Sequence, residues 1–290
     1  MKFENTDVWG FEHALRGMRN PLESWNKSDS KNTTFFTKNA YFDKFIIGKN
    51  DLELAQKLIK AGEPHRKFLR QIFISVDITA PLYWWKEFDT YKVGTVANST
   101  STMHKLTSTP ITKECFEMDD FENVTYDEFE TGVEFEGVKE IGGYEVDYAW
   151  QGTLDCLERL RQLHNKNIEL SKNPNITDLE RRRLIVIAKK YWKELIRLLP
   201  ESWLQTRTIT MNYENILNMI TYRQNHKLTE WSESFINWTK SLPYAEELLF
   251  VDKKHEVDFV MGYESGIYKC KYDSGEEFES SDGKTWKQIL

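Results

Sequence analysis

A segment rich in hydroxyl side chains lies in the first half of the chain and has the composition of an anion-binding loop. Its polar members are Thr90, Lys92, Thr95, Ser99, Thr100, Ser101, Thr102, His104 and Lys105. A phosphate group needs several converging donors, which hydroxyls, backbone N–H groups and a nearby cation can supply. The same composition also suits a solvated loop, because Ser and Thr hydrogen-bond their own backbone in turns. Composition alone favours the solvated loop.

Common catalytic motifs are missing from the sequence. Its six histidines and three cysteines form no His-Glu-x-x-His or Cys-x-x-Cys spacing, so no metal site is predicted. There is also no Gly-rich phosphate loop and no Gly-x-Ser-x-Gly elbow. These motifs therefore assign no catalytic residue. The widely spaced Cys115, Cys156 and Cys270 are typical of reduced thiols in a cytoplasmic protein.

The elements that would position the segment follow from hydrophobic periodicity. Residues 51–61 have the pattern of an amphipathic helix, and residues 72–78 alternate as a strand. Pro81 suits the first turn of a further helix, in which Trp84 and Trp85 are expected to be buried, with stacking on a flat ligand as the alternative. Residues 1–40 and 92–109 show neither period and are predicted to be irregular.

The second half of the chain is predicted to be mainly helical. Helices are expected at residues 153–168, 178–199, 212–223 and 228–240, and a strand at residues 204–211. Thr177 and Glu180 have the spacing of a capping box at the start of the second of these helices. The acidic segment 110–147 is interpreted as an insertion. Turn signals at glycines in the tail predict a small β-meander.

Length and net charge limit the domain organisation and the kinds of partner that the sequence predicts. The 290 residues suit one large domain with a small appendage, here placed at residues 1–248 and 249–290. The net charge of −7 argues against a polymeric nucleic acid as partner, although a few local cations would suffice for a small anion. No apolar run is long enough to span a membrane, and the N-terminus lacks a signal-peptide pattern, so a cytoplasmic location is expected.

The first half of the chain resembles the flavin-dependent thymidylate synthases. Ala80-Pro81-Leu82-Tyr83 matches the Ala-Pro entry to that family's aromatic helix. The family signature Arg-His-Arg-x-x-Ser-x-x-x-x-Ser-x-Arg falls without gaps on residues 90–102. Lys92, Thr95 and Thr100 are chemically similar to their counterparts, whereas every arginine of the signature is replaced.

The second half follows the same family's order of residues. Leu199-Pro200, Thr206-Arg207, Asn212, Asn218 and Arg223 occur in the family's sequence, with one inserted residue. The family's Glu-Ile-Arg is Glu230-Trp231-Ser232 here, so the arginine that polarises the nucleotide base in the family is missing. The resemblance covers residues 40–110 and 185–242. It implies an α/β (α+β) fold with an antiparallel-type sheet packed with long helices, plus the small C-terminal β appendage.

The resemblance assigns candidate binding residues position by position. Flavin contacts are expected from His65, Thr90, Tyr91, Lys92, Asn98, Arg223 and His226. Nucleotide contacts are expected from Glu87, Ser99, Thr100, Ser101, Thr102 and Arg207. Simpler interpretations stay open: Arg207 as a surface strand residue, His65 as a capping or surface histidine, and Arg223 as a helix-end residue that complements the helix dipole.

The activity implied by the resemblance is one-carbon transfer to C5 of dUMP or a related pyrimidine deoxynucleotide. It uses FAD as cofactor, NADPH as reductant and methylenetetrahydrofolate as donor, in a homotetramer whose subunits share the sites. One misplaced or missing charge can cost about 3 kcal/mol of barrier, so the absent base-polarising arginine matters. The alternatives are a nucleotide-binding protein that no longer catalyses and an interaction protein that kept only the scaffold.

Overall fold

A computed structural model of the chain describes residues 1–36, 41–118, 143–251, 262–264, 267–271, 277–280 and 287–289. The strands are β1 (Lys2–Trp9), β2 (Lys31–Phe36), β3 (Tyr41–Ile46), β4 (Phe73–Pro81), β5 (Val96–Ser99), β6 (Leu204–Asn212), β7 (Gly262–Glu264), β8 (Ile267–Lys271), β9 (Glu277–Ser280) and β10 (Lys287–Ile289). The α-helices are α1 (Phe11–Met18), α2 (Lys49–Lys60), α3 (Leu82–Phe88), α4 (Thr102–Lys105), α5 (Gly143–Ser171), α6 (Asp178–Leu198), α7 (Tyr213–Arg223), α8 (Ile236–Lys240) and α9 (Ala245–Leu248).

The chain forms two compact units, the first from residues 1–10 and 70–239, the second from residues 11–69 and 240–290. The expected division after residue 248 stays a prediction. The expected insertion at residues 110–147 lies largely outside the described residues.

The first unit is built on an antiparallel sheet of strand order β1-β4-β6-β5. β4 and β6 pair along their whole lengths, from Phe73 opposite Asn212 to Pro81 opposite Leu204. On β4, Ile74, Val76 and Ile78 are buried and alternate with partly exposed residues, which is why periodicity located this strand. β4 and β6 therefore form the centre of the sheet.

Helices α5 and α6 of the same unit pack against each other. A buried cluster joins them to the segment after α4, and it consists of Leu106, Ile111, Phe116, Leu154, Leu157 and Leu195. The Thr177 hydroxyl accepts a hydrogen bond from the Glu180 backbone N–H, and the Glu180 side chain accepts one from the Thr177 backbone N–H. The predicted capping box at the start of α6 is confirmed.

The second unit contains the β2–β3 hairpin, α1, α2 and α9. The Tyr244 hydroxyl donates to the Phe45 carbonyl oxygen at 3.0 Å and accepts from the Ile47 N–H at 3.1 Å, which ties the end of β3 to the segment before α9. Gln56 of α2 donates to the Glu247 carbonyl oxygen at 3.3 Å. The described tail strands form a four-stranded antiparallel sheet in the order β10-β9-β8-β7, as expected of a meander.

Two segments predicted to be irregular contain regular structure. β1 and α1 lie within residues 1–40, and β5 and α4 lie within residues 92–109. β1 and β5 are edge strands with mostly exposed side chains, so they lack the apolar alternation that marks a half-buried strand. Both strands are defined by their pairing with β4 and β6. A sequence pattern over a few neighbouring residues does not reveal such pairing.

Candidate functional site

Helix α3 presents polar side chains beside a densely aromatic core. Pro81 precedes the helix, and the first two N–H groups donate to the Trp203 and Glu201 carbonyl oxygens at 3.1 Å each. Trp84 and Trp85 are fully buried and meet edge to face, with centroids 4.9 Å apart. They belong to the core, so stacking of a ligand on either ring is ruled out in this conformation.

Arg223, at the end of α7, brings several of the predicted flavin-binding residues together. Its Nη1 donates to Glu87 Oε2 at 2.7 Å, and its Nε donates to the Tyr91 hydroxyl at 3.0 Å. The guanidinium carbon lies 4.9 Å from the centroid of Trp231 and 5.6 Å from that of Tyr91. His226 Nε2 lies 3.5 Å from the same Glu87 oxygen. We call these five residues the Arg223 cluster.

A π-helical turn, Glu230–Phe235, contributes Trp231 to this cluster. Trp231 within it is fully buried and packs on Trp84 with centroids 4.4 Å apart. Glu230 is also buried and accepts a hydrogen bond from the Tyr83 hydroxyl. Single π-turns often occur at functional sites. Glu230, which aligns with the glutamate of the family's Glu-Ile-Arg, is thus a buried hydrogen-bond acceptor.

Arg207 forms a second cluster on β6. Its Nη1 donates to Asp89 Oδ1 at 2.9 Å, and its Nε donates to Gln205 Oε1 at 2.9 Å. The guanidinium carbon lies 4.2 Å from the centroid of Trp85. Gln205 in turn donates Nε2 to the Thr100 carbonyl oxygen at 2.9 Å. We call these residues the Arg207 cluster.

The hydroxyl-rich segment runs beside Arg207. In the β5–β6 ladder Asn98 lies opposite Thr208, and Ser99 lies opposite Arg207. The Thr100 N–H donates to the Thr206 carbonyl oxygen at 2.9 Å. Two predicted nucleotide contacts, Ser99 and Thr100, are therefore neighbours of a third, Arg207.

Ser101 and Thr102 belong to the start of α4. Ser101 caps this short helix, because its Oγ accepts from the His104 N–H at 3.2 Å. Thr102 is the first residue of the helix. The Ser101 hydroxyl thus has a structural role in this conformation.

The turn between α3 and β5 holds the other predicted contacts. Thr90 Oγ1 donates to the Glu87 carbonyl oxygen at 2.7 Å, and Thr95 Oγ1 donates to the Tyr91 carbonyl oxygen at 3.0 Å. Lys92 lies in this turn and is exposed. Asn215 Nδ2 donates to the Val93 carbonyl oxygen at 2.6 Å, which fixes the turn to the start of α7.

The far end of the hydroxyl-rich segment is held by α5. Arg161 and Asn165 donate to the Thr107 carbonyl oxygen at 3.3 and 2.9 Å. Glu158 accepts from Arg161 at 2.7 Å and from the Ile111 N–H at 2.9 Å. The hydrogen bond from Arg161 is the main reason that the pKa of Glu158 falls to about 2, although partial burial opposes the shift. The segment is thus supported at both ends.

His65 belongs to the second unit. It lies in an exposed turn after α2, where its N–H donates to the Gly62 carbonyl oxygen at 3.0 Å. Its predicted role at a flavin stays a prediction.

The arrangement pairs each candidate arginine with a carboxylate of α3 or its C-terminal end. Arg223 meets Glu87, and Arg207 meets Asp89. Buried aromatic rings hold both guanidinium groups in place, and these charged donors with the hydroxyls alongside are suited to an anionic ligand. Sequence reasoning missed Asp89 and Tyr83, because their partners are 118 and 147 residues away in the chain.

Neither a metal cluster nor a membrane span is found where the structure can be described. Within the described ranges no three His, Cys, Asp or Glu side chains are grouped to hold a metal ion. Within the same ranges no helix has the length and apolar character needed to cross a membrane.

The fold is similar to that of flavin-dependent thymidylate synthase ThyX from Helicobacter pylori. A crystal structure of that protein complexed with FAD and dUMP aligns with a TM-score of 0.51 and 17% identity, over 86% of this chain and 98% of that chain. A second, with FAD and dUMP at 2.31 Å, gives a TM-score of 0.50 and 17% identity, over 86% and 97%. No protein-family model and no curated protein matches the sequence. At this identity the likeness shows the fold, and the predicted ThyX-like mixture of antiparallel sheet and long helices is confirmed.

Proposed function

We propose that this protein binds FAD and a pyrimidine deoxynucleotide and transfers a one-carbon unit to C5 of dUMP or a close relative. NADPH would be the reductant and methylenetetrahydrofolate the donor. The observation that carries the proposal is Arg207, which lies beside Ser99 and Thr100 in the β5–β6 ladder of a ThyX-like fold. A strand-borne guanidinium with adjacent hydroxyls is suited to the phosphate of a nucleotide.

The Arg223 cluster fits a flavin by the chemistry of its donors. The Arg223 guanidinium contacts the Tyr91 hydroxyl and lies over the buried Trp231 ring, and the His226 imidazole lies beside Glu87, the carboxylate partner of Arg223. Tyr91, Arg223 and His226 would hold the FAD, whose bound isoalloxazine would supply redox chemistry. Their own role is to bind and orient it. Glu87, which accepts a hydrogen bond from Arg223, would then lie next to the ligand.

Binding without catalysis is the alternative, and one observation favours it. Where the family has its base-polarising arginine this chain has Ser232, and the nearby Glu230 is a buried acceptor for Tyr83. A catalytic version of the site would need another cation near the base, with Lys92 as an exposed candidate on the turn after α3.

The test is made on the purified full-length chain. A flavoenzyme of this type should carry flavin absorbance, oxidise NADPH in a dUMP-dependent manner and convert dUMP to dTMP when methylenetetrahydrofolate is added. A colourless protein that still binds dUMP would favour the alternative. Absence of both flavin and dUMP binding would refute the proposal and leave only the scaffold.

Thr100→Val tests the hydroxyl-rich segment within the same proposal. The valine keeps the size of the side chain and removes its hydroxyl, so dUMP binding should weaken while the protein stays folded. Thr112→Val, at an exposed position outside the predicted contacts, is the comparison variant. Equal affinities for wild type and Thr100→Val would remove the segment from the phosphate site.

We also propose a homotetramer with shared sites, as closed symmetric assemblies commonly have. Light scattering at micromolar concentration should then give about four times the chain mass of 34.4 kDa. A monomer mass would contradict this part of the proposal.

A further inference from the structure

Arg207 is fixed on two sides by contacts that a ligand need not disturb. Its Nε is held by Gln205, and its guanidinium plane lies over Trp85. Gln205 is itself anchored to the Thr100 carbonyl oxygen, and the Trp85 Nε1 donates to the Gln205 carbonyl oxygen at 2.9 Å. These contacts set the position and orientation of the guanidinium independently of any anion.

The third contact of Arg207, its ion pair with Asp89, is different because Asp89 lies on the solvent side. The Arg207 side chain is 15% exposed, whereas that of Asp89 is 44% exposed. Asp89 caps the C-terminal end of α3, and its N–H is held by the Trp85 carbonyl oxygen at 2.8 Å. Its side chain can therefore rotate into solvent without any change in the helix. Within the described part of the chain, the Asp89 carboxylate has no hydrogen-bond partner other than Arg207.

We infer that Asp89 is an internal competitor for the phosphate of the ligand, and that it sets the affinity of the site by occupying Nη1 of Arg207. This inference rests on the proposed function, since it concerns how the same site takes up a phosphate monoester. A phosphate dianion can displace a single carboxylate, because it brings more charge and more acceptor oxygens to the same donor. A ligand without a phosphate leaves the Asp89–Arg207 pair closed.

The competition makes Asp89 a specificity-determining residue. An uncharged nucleoside gains nothing from opening the pair, whereas a nucleoside monophosphate exchanges one ion pair for another. The affinity of the wild-type protein for phosphate ligands is therefore lower than it would be if Arg207 had no carboxylate partner. Replacement of the Asp89 carboxylate should raise this affinity. The gain requires Arg207, so it should vanish when that side chain is removed.

The experiment is calorimetric titration of the full-length chain, with FAD added, at low ionic strength. The probes are dUMP, deoxyuridine and inorganic phosphate, and the variants are Asp89→Asn, Asp89→Ser and Asp89→Asn with Arg207→Ala. The control is Glu201→Gln, which removes one negative charge from the exposed pair between Lys86 on the same helix and Glu201. Circular dichroism confirms that each variant is folded.

We expect Asp89→Asn and Asp89→Ser to bind dUMP and phosphate roughly three- to fivefold more tightly than wild type, with deoxyuridine affinity unchanged. Glu201→Gln should stay within about twofold of wild type, and the double variant should lose the gain. Equal dUMP affinity in Asp89→Asn and Glu201→Gln overturns the inference while the proposed function stands. If dUMP binds to no variant but phosphate binding still rises in an Arg207-dependent way, the inference stands and the proposed function falls. If neither dUMP nor phosphate binds to any variant, the inference and the proposed function are both refuted.

Discussion

Two arginine–aspartate pairs, one in each unit, show how burial separates a structural ion pair from an exchangeable one. In the second unit, Arg19 Nε donates to Asp51 Oδ1 at 2.5 Å, and the two side chains are 4% and 0% exposed. In the first unit, the Asp89 partner of Arg207 is half exposed. The two pairs have the same chemistry and differ in what surrounds the carboxylate.

Asp51 is enclosed by donors on both oxygens. Besides Arg19, its Oδ2 accepts from the Ser28 hydroxyl at 2.7 Å, the Ser30 hydroxyl at 2.5 Å, the Ser30 N–H at 3.1 Å and the Asp29 N–H at 3.3 Å. Burial alone would raise the pKa of Asp51, but the hydrogen bonds from Ser30, Ser28 and Arg19 together lower it. Both oxygens of Asp51 are thus engaged within the protein, and this pair joins the residue after α1 to α2 as a structural contact.

The largest effect is expected from Asp51→Ala. Removal of one partner leaves Arg19 buried without its counter-charge and leaves two serine donors without an acceptor. We expect a loss of about 3–5 kcal/mol in the free energy of unfolding, measured with urea. Glu53→Ala, an exposed position on the same helix, should change it by less than about 0.5 kcal/mol. A loss below about 1 kcal/mol for Asp51→Ala would show that the buried Arg19–Asp51 pair stabilises the fold no more than a solvent-exposed pair does.

The Arg207–Asp89 pair should affect ligand affinity more than the free energy of unfolding. Arg207→Ala removes the proposed phosphate contact, and we expect dUMP binding to weaken by about 1.5–3 kcal/mol, the usual value of a hydrogen bond to a charged group. Titration calorimetry measures the affinity, and urea unfolding checks that the variant is folded. Arg207→Lys, which keeps the charge without the planar fork, should retain part of the affinity. Unchanged dUMP affinity in folded Arg207→Ala would exclude the role.

Glu158 and Arg161 form an intermediate case, with side chains 23% and 14% exposed. The folded-state pKa of Glu158 is lowered from 4.5 to about 2, so its stabilising effect is complete above pH 4.5 and is lost as the pH falls towards 2. After allowance for solvent screening, Glu158→Gln should cost about 1–2 kcal/mol at pH 7. Urea unfolding at several pH values should show wild type and variant converging near pH 2. A constant difference across that range would contradict the assignment.

The smallest effect is the coupling energy between Arg207 and Asp89 in the unliganded protein. A double-mutant cycle on unfolding free energy should give about 0.2–1 kcal/mol, because a half-exposed carboxylate is well solvated when unpaired. The pair of Lys86 and Glu201, with side chains 68% and 54% exposed, should give less. A coupling energy above about 2 kcal/mol would mean that Asp89 is held too firmly to exchange with a ligand.

Much of the scaffold could be predicted because its signals are local. The capping box at Thr177 and Glu180, the alternation along β4 and the face of α2 each depend on residues a few positions apart, and each element was placed within a few residues. The tertiary structure supplied β1, because an edge strand is specified by the strand it pairs with. Asn5, for example, donates to Asp77 at 2.8 Å, 72 residues away.

The candidate site divides in the same way. Residue order and spacing pointed to Arg207, Arg223, Tyr91 and the hydroxyls of residues 99 and 100, since motif positions can be compared along the chain. The ion-pair partner of each arginine is apparent only in the folded chain, where Arg207 pairs with Asp89 and Arg223 pairs with Glu87. An ion pair depends on distance in space, and the balance between a closed pair and an exchangeable one depends on solvent exposure. Neither quantity is encoded by local spacing, so the sequence determined the donors and the tertiary structure determined how available they are.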